Sequence, residues 1–452
     1  MARVVVVGGG LGGLAVAARL AKNGHQVTLV ERATRLGGQI TRRTGVGPAE
    51  GFQWDAGPAE MTLPTTIRDL FRKSGRPLER VLDLHLVTDP RRHVFSDGTV
   101  LDLPTQSRAD QRRALSETLG AATADAWEAT VDGLTATWEL LRTRVLEVPF
   151  AGARRLGPRA LRRLAFGTSL STFAGRALPD PRARRVLEYT AVGVGSEPRL
   201  APALTAVHAY VERTFGLWRC PGGFARLADA LADRVRERGV DLRLGSAVVA
   251  IETNEAAVTG VRLSDGSRLA AEVVVCDIDV RDVVSRLSPS APRALRRAAR
   301  RLRPGRALRL VHLGLRGEAE DLPHETVVHG AEATVVVRAP RDPALAPPGH
   351  RAVTLVVPDG ALAGEDVLRW LARYGVDLRD RVAVRLDDES RPWGPTWRGP
   401  WRGLGVARNA TPVRGLFLVG DTAHPGPGVP AVLLGAAATV RMIDETFGRP
   451  PR

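Results

Sequence analysis

The chain has 452 residues, enough for two or three cores, and its 44% hydrophobic and 25% charged residues are ordinary for a globular protein. A net charge of +16 invites a nucleic-acid partner. Of 65 basic residues, however, only Lys22 and Lys73 are lysines, a bias that points to GC-rich coding, so no nucleic acid is expected. Two unrelated cysteines, Cys220 and Cys276, exclude a disulfide framework; with no leader-like start and no run of about 18 apolar residues, the expectation is a cytoplasmic chain without a membrane span.

In chain order, Arg3 to Val7 reads as a strand buried on both faces of a parallel sheet, because its residues are β-branched and unbroken by polar groups. Gly8-Gly9-Gly10-Leu11-Gly12-Gly13 follows, with the spacing Gly8-x-Gly10-x-x-Gly13. The three positions serve a tight turn, close backbone approach to a pyrophosphate, and packing of helix on sheet. Leu14, Ala17, Ala18 and Ala21 recur at helical spacing until Asn23-Gly24 ends the helix; Gln26 to Val30 is the next strand, and Glu31 closes it. A carboxylate there accepts ribose hydroxyls and disfavours a 2′-phosphate. Arg35, Gly37 and Gly38 form a second glycine turn that brings further amides toward the phosphates.

Residues 110 to 145 carry helical periodicity, with Leu115, Leu119, Trp127, Leu134 and Trp138 as core candidates. From Arg154 to Phe166, arginines and apolar residues fall on different faces. Two readings stand: a surface that lies on an anionic membrane, and an ordinary solvated basic face, which is weighed higher. Six arginines between Arg293 and Arg303 raise the same question with fewer apolar companions. Glu188-Tyr189 and His208-Tyr210 have no assigned role. Cys220, beside Gly222-Gly223, reads as a small buried hydrophobe.

Val240 to Leu244, Ala247 to Ile251, Val258 to Leu263 and Val273 to Cys276 read as strands, and residues 306 to 357 alternate in strand fashion. Trp393, Trp397 and Trp401 are spaced by four, but interleaved prolines and glycines make this a loop, either framing an apolar channel or filling space. Leu416 to Val419 is a last buried strand delivering Gly420-Asp421. The segment Thr422 to Pro430 then leads into an Ala- and Leu-rich helix. Too little chain remains for a second dinucleotide unit, so this reads as a loop and helix N-terminus aimed at an electron-rich ring, whose amides would stabilise a reduced, anionic flavin.

Four blocks, Val4 to Gly38, Phe52 to Pro58, Phe215 to Gly223 and Gly415 to Leu434, together make the chain similar to the bacterial phytoene desaturase (carotenoid desaturase) family of FAD-dependent, amine-oxidase-like oxidoreductases. The block with His424-Pro425-Gly426 and Gly428-Val429-Pro430 is the most specific of the four. The resemblance implies an α/β fold: a Rossmann-like FAD-binding domain of the glutathione-reductase and amine-oxidase type, with a discontinuous α+β substrate domain. The flavin domain is expected in residues 1–85, 220–290 and 405–452, and the substrate domain in 86–219 and 291–404, with a helical part around 110–190.

Carried over by position, Gly8, Gly10, Leu11, Gly12 and Gly13 would face the pyrophosphate and Glu31 and Arg32 the adenosine side. Gly37, Gly38 and Gln39 would flank the phosphates, Val248 would offer its backbone to the adenine, and Gly57 and Pro58 would lie near the isoalloxazine. Gly420 and Asp421 would hold the ribityl-phosphate region, and Gly428, Val429 and Pro430 would cover the flavin. The chain departs from the family at Gln39, where Arg is usual, at Arg219-Cys220-Pro221, and at Cys276-Asp277-Ile278-Asp279, where Asn-Ala-Asp is usual. No match is placed for the Asp and Arg proposed as catalytic in some relatives. His424 is a weak catalytic candidate, and its role in shaping a His-Pro turn is weighed above proton transfer.

FAD is expected to be non-covalent and the substrate apolar, an isoprenoid or polyene that loses two hydrogens. Peripheral contact with an anionic membrane is left open. Isomerase, saturase and oxidase chemistry on related substrates are the alternatives. An amine oxidase is disfavoured by having only three tyrosines, and a prenyl-binding escort without FAD by the intact glycine set. No metal is expected.

Overall fold

A computed structural model describes residues 1–448 apart from Ala151, Val194, Ala256, Ser288, Ala363, Ser390, Trp393, Trp397, Arg398, Gly403 and Gly405. Five parallel strands form the first sheet, in the order Asp241–Arg243, Gln26–Val30, Arg3–Val7, Val273–Cys276, Leu416–Leu418. Alternate residues of the central strands enter different cores. Val4, Val6, Val273 and Val275 meet the helices Leu11–Lys22, Ala225–Glu237 and Val429–Phe447. Val5, Val7, Val274 and Cys276 meet an antiparallel layer made by Val248–Asn254, Ala257–Leu263 and Arg268–Ala270. Both faces are therefore dry, which is why these strands read as unbroken apolar runs.

The second sheet has eight strands. Val382–Asp387, Ala307–Arg316, His350–Pro358, Thr334–Arg338, Glu325–His329, Arg91–Phe95 and Val100–Leu103 follow in that order, and Arg391–Pro392 pairs beside Ala307–Arg316. Only Glu325–His329 with Arg91–Phe95 is parallel. One face packs on the helix Val367–Arg373 through Val311, Leu313, Val353, Leu355 and Trp370. The opposite face carries Leu308, Leu310, Val327, Val336 and Val356 against Ala56 and Tyr189.

Helices Arg108–Leu119, Ala121–Gly133 and Thr135–Leu141 stand where the periodicity places them, with Leu115, Trp127, Leu134 and Trp138 buried and Leu119 packed at the margin. The alternation over 306–357 resolves into Ala307–Arg316, Glu325–His329, Thr334–Arg338 and His350–Pro358. Arg154 to Phe166 forms a short turn and the helix Gly157–Arg163. Of the three spaced tryptophans, Trp393 and Trp397 lie outside the described residues, and Trp401 sits in the turn Pro400–Arg402.

Candidate functional site

The glycine fingerprint is built by contact. Leu11–Lys22 starts directly after the strand Arg3–Val7, and a methyl on Gly13 would lie 2.0 Å from the Gly8 carbonyl oxygen, so only glycine lets helix and strand meet. Gly8 N–H donates to Val30 O at 2.9 Å, tying the turn to the neighbouring strand. The second glycine turn is pinned to the first: Gly37 N–H donates to Gly9 O at 2.8 Å, and a methyl on Gly38 would lie 2.8 Å from Gly10 Cα.

Glu31 is held by two amides, Gly9 N–H to Oε2 at 2.7 Å and Ala33 N–H to Oε1 at 2.8 Å. Its carboxylate is thus oriented at the end of the strand, beside Ser246, whose N–H donates to Glu31 O at 3.0 Å. Val248, two residues beyond, is buried, and its carbonyl accepts Arg286 Nε at 2.8 Å. Arg32 is exposed.

Across the cradle, Gln39 Nε2 approaches Asp421 Oδ2 at 3.5 Å, and a methyl on Gly57 would strike Gln39 O at 1.9 Å. Gln39, Gly57-Pro58 and Gly420-Asp421, far apart in sequence, are therefore neighbours. Burial raises the Asp421 carboxyl, and Asp279 adds to this. Gly428 precedes Val429–Phe447, a 19-residue helix with Pro430 in its first turn, whose opening amides are free of the carboxylates that often cap such ends.

His424 is turned away from open solvent. Its Nε2 lies 2.7 Å from Val145 O, its ring stacks on Phe150 at 4.8 Å, and Asn409 Nδ2 donates to its carbonyl at 2.8 Å. Burial pushes its pKa down to about 4, so the imidazole is neutral over the ordinary pH range, Nε2–H donates to Val145, and only Nδ1 is left to accept a proton.

Three features escape a linear reading. Asp277 directs its carboxyl into the cradle and accepts Gly13 N–H at 2.8 Å; burial, with Asp421 and Glu31 nearby, pushes it up to about 8. Asp55 accepts Phe224 and Ala225 N–H at 3.0 and 3.3 Å, capping Ala225–Glu237, and burial raises it to about 6. A buried ionic cluster lies on the inner face of the large sheet. Arg91 meets Glu325 and, at 2.6 Å, Glu212; Tyr189 O–H donates to Glu325 at 3.0 Å; and His324 meets Glu60 at 2.6 Å. Asp277 lay in the Cys-Asp-Ile-Asp departure, Asp55 in the Phe52 to Pro58 block, and Tyr189 stood in the sequence without a role; the cluster itself draws on segments more than a hundred residues apart.

The residues present fit a dinucleotide. Amides at the start of Leu11–Lys22 suit phosphate, a fixed carboxylate at Glu31 suits vicinal hydroxyls, and a side chain at Gly10 would intrude on the space that Asp277 and Gly38 border. Among the described residues no group of three or more His, Cys, Asp or Glu is placed to hold a metal, and no helix is long and apolar enough to cross a membrane.

The sequence profile described as flavin containing amine oxidoreductase matches residues 11–371. Phytoene dehydrogenase of Streptomyces griseus is 29% identical, over 99% of this chain and 96% of that protein. The 4,4'-diapolycopene oxygenase of Methylomonas sp. is 28% identical over 96% of each. Putrescine oxidase bound to putrescine shares the fold with a TM-score of 0.73 at 20% identity over 99% of both chains, and a CLA-producing fatty acid isomerase from P. acnes does so with a TM-score of 0.64 at 15% identity over 99% of both. Matched by one family profile over most of its length, the chain belongs to the flavin-containing amine oxidoreductases and is an FAD-dependent oxidoreductase.

Proposed function

We propose that the protein dehydrogenates an apolar isoprenoid or polyene of the carotenoid type. The observation that carries this reading is the match to relatives named phytoene dehydrogenase or desaturase over nearly the whole chain; in the structure, Ala56, next to Gly57-Pro58, is buried in an apolar core with Leu308, Leu310, Val327, Val336 and Val356. Relatives named for phytoene and diapolycopene chemistry match nearly the whole chain, which supports the same substrate class here. When bound, FAD supplies a two-electron acceptor, taking hydride at N5. The protein's own part is orientation and exclusion of water. Gly8, Gly10, Leu11, Gly12 and Gly13 hold the pyrophosphate, Glu31 and Arg32 the adenosine side, and Gly37, Gly38 and Gln39 the flank. Val248 would take the adenine, Gly57, Pro58, Gly420 and Asp421 the ribityl and ring region, and the N–H groups of Gly428 and Val429 would serve the ring, with Pro430 covering it. The proton left on the substrate needs an acceptor, and His424 serves only through Nδ1.

We assign residues 1–85, 220–290 and 405–452 to the flavin domain, since all five parallel strands come from them, and 86–219 with 291–404 to the substrate domain. We further place the face from Arg154 to Phe166 against an anionic bilayer. Arg154, Arg155, Arg159, Arg162 and Arg163 are exposed there, and Trp401, 66% exposed, stands edge-on to Phe166 at 5.7 Å. Two buried free thiols suit a reducing cytoplasm on that side of the membrane. The deciding experiment mixes oxidised holoenzyme anaerobically with candidate polyenes: flavin bleaching with product two hydrogens lighter supports the reading. Product of unchanged mass without net bleaching would make the protein an isomerase instead.

A further inference from the structure

Asp277 follows the strand Val273–Cys276 and places a carboxyl among the glycines of the cradle. Its Oδ2 accepts Gly13 N–H and would lie 2.7 Å from a methyl on Gly10. Its Oδ1 would lie 2.7 Å from a methyl on Gly12 and 2.4 Å from one on Gly420. The group therefore rests on the first-turn amides that a pyrophosphate needs, and it keeps partial access to solvent through the mouth of the cradle.

Among the described residues, no cation is one of the main influences on it. The charged groups acting on it from the neighbouring elements are Asp421, after Leu416–Leu418, and Glu31, after Gln26–Val30. Asp279, two residues on, is closed by Arg281 at 2.6 Å, and burial pushes the adjacent Cys276 thiol up to about 12, so it stays neutral. Amides of Gly13 and Gly10 favour the carboxylate, but burial outweighs them. An ionised Asp277 beside the two charges of a pyrophosphate would be strongly repelled at this depth, whereas a neutral carboxyl can donate its O–H to a phosphate oxygen.

We propose that flavin binding is coupled to protonation of Asp277: the carboxyl must be neutral for the pyrophosphate to lie on the Gly10 to Gly13 amides, so FAD binding to the ionised form takes up a proton from solvent. The inference rests on reading that cradle as the pyrophosphate site.

Apoprotein is titrated with FAD by flavin fluorescence from about pH 6 to about pH 9.5. The wild-type Kd is expected to be flat at first and then to rise about tenfold per pH unit above roughly pH 8, while D277N, neutral and of the same shape, holds a flat Kd throughout. In weak buffer near pH 9, mixing wild-type apoprotein with FAD should consume close to one proton per flavin, read with a pH indicator; this measurement needs no variant to fold. Parallel pH profiles for wild type and D277N, or flavin uptake without proton uptake, overturn the proposal. G10V separates the two levels: a colourless G10V keeps the cradle reading whatever Asp277 does, and stoichiometric flavin in G10V overturns the reading and the proposal together.

Discussion

Gly10 has an extended backbone, φ −76° and ψ −173°, which any residue adopts. A Val there would meet the Asp277 carboxyl at 2.7 Å and would intrude on the space proposed for the phosphate. Gly10→Val is therefore expected to purify without flavin, seen as loss of visible absorbance, with an apoprotein melt that stays cooperative but is lowered by the displacement of Asp277. Glu31→Ala removes a charged hydrogen-bond acceptor worth about 1.5 to 3 kcal/mol, so the FAD Kd should rise roughly ten- to a hundredfold by fluorescence titration. Denaturation should release the flavin of the wild type, because both cysteines are buried and His424 is enclosed. Asp277 also bears on stability. Its folded pKa, near 8, exceeds its unfolded value near 3.8, so the folded form binds the extra proton and stability falls as pH rises between those values, by up to about 1.4 kcal/mol per unit. Apoprotein D277N lacks this loss, and its melting temperature should exceed that of the wild type by a margin that widens from pH 5 to about pH 8. A constant margin would assign the difference to packing.

Arg91 joins three elements: its own strand Arg91–Phe95, the strand Glu325–His329 through Glu325, and the helix Val207–Phe215 through Glu212. Arg91→Ala would take the nearest cation from half-buried Glu212 and from buried Glu325, which keeps Tyr189 and, at 3.8 Å, Arg338, and a loss of about 3 kcal/mol in denaturant unfolding is expected. The basic helix Gly157–Arg163 makes a separate claim. If it meets lipid, each exposed arginine near an anionic surface contributes about 1 kcal/mol, and the attraction is screened over about 8 to 10 Å. Sedimentation with vesicles should then require anionic lipid, fall with salt, and weaken about a hundredfold when Arg159, Arg162 and Arg163 become Gln. Equal binding to neutral vesicles would remove the electrostatic anchor. The separation of arginines from apolar residues was legible in the run from Arg154 to Phe166, but the aromatic beside it was not, since Trp401 arrives from more than two hundred residues away.

For the molecule as a whole, the proposed chemistry asks one dinucleotide cradle and one large sheet to meet around a hydrocarbon. The Phe52 to Pro58 block meets the large sheet where Ala56 packs with Leu308, Leu310 and Val356, and where Trp54 Nε1 donates to Leu313 O at 2.9 Å. Anaerobic turnover is the test at this scale: bleaching by a polyene without added NAD(P)H is expected, since among the described residues a single parallel sheet carries the dinucleotide fingerprint. Rapid turnover that demands NAD(P)H while adding hydrogen or oxygen would reverse the direction of the proposed chemistry.

What the amino-acid order determined by itself is local: Arg3 to Val7, the glycine turn, the helix to Lys22 and Glu31 lie within one short stretch, and their periodicity and turn chemistry suffice to name them. The helical core at Leu115, Trp127 and Trp138 was readable for the same reason. Tertiary structure alone decided what fills the cradle and what lies opposite it. Asp277 reaches Gly13 across 264 residues, Gln39 reaches Asp421 across 382, and His424 reaches Val145 across 279. Such pairings leave no periodic trace, because each depends on which strand ends the parallel sheet brings side by side. The ionisation of the groups they enclose is likewise set by burial and neighbouring charge rather than by residue type.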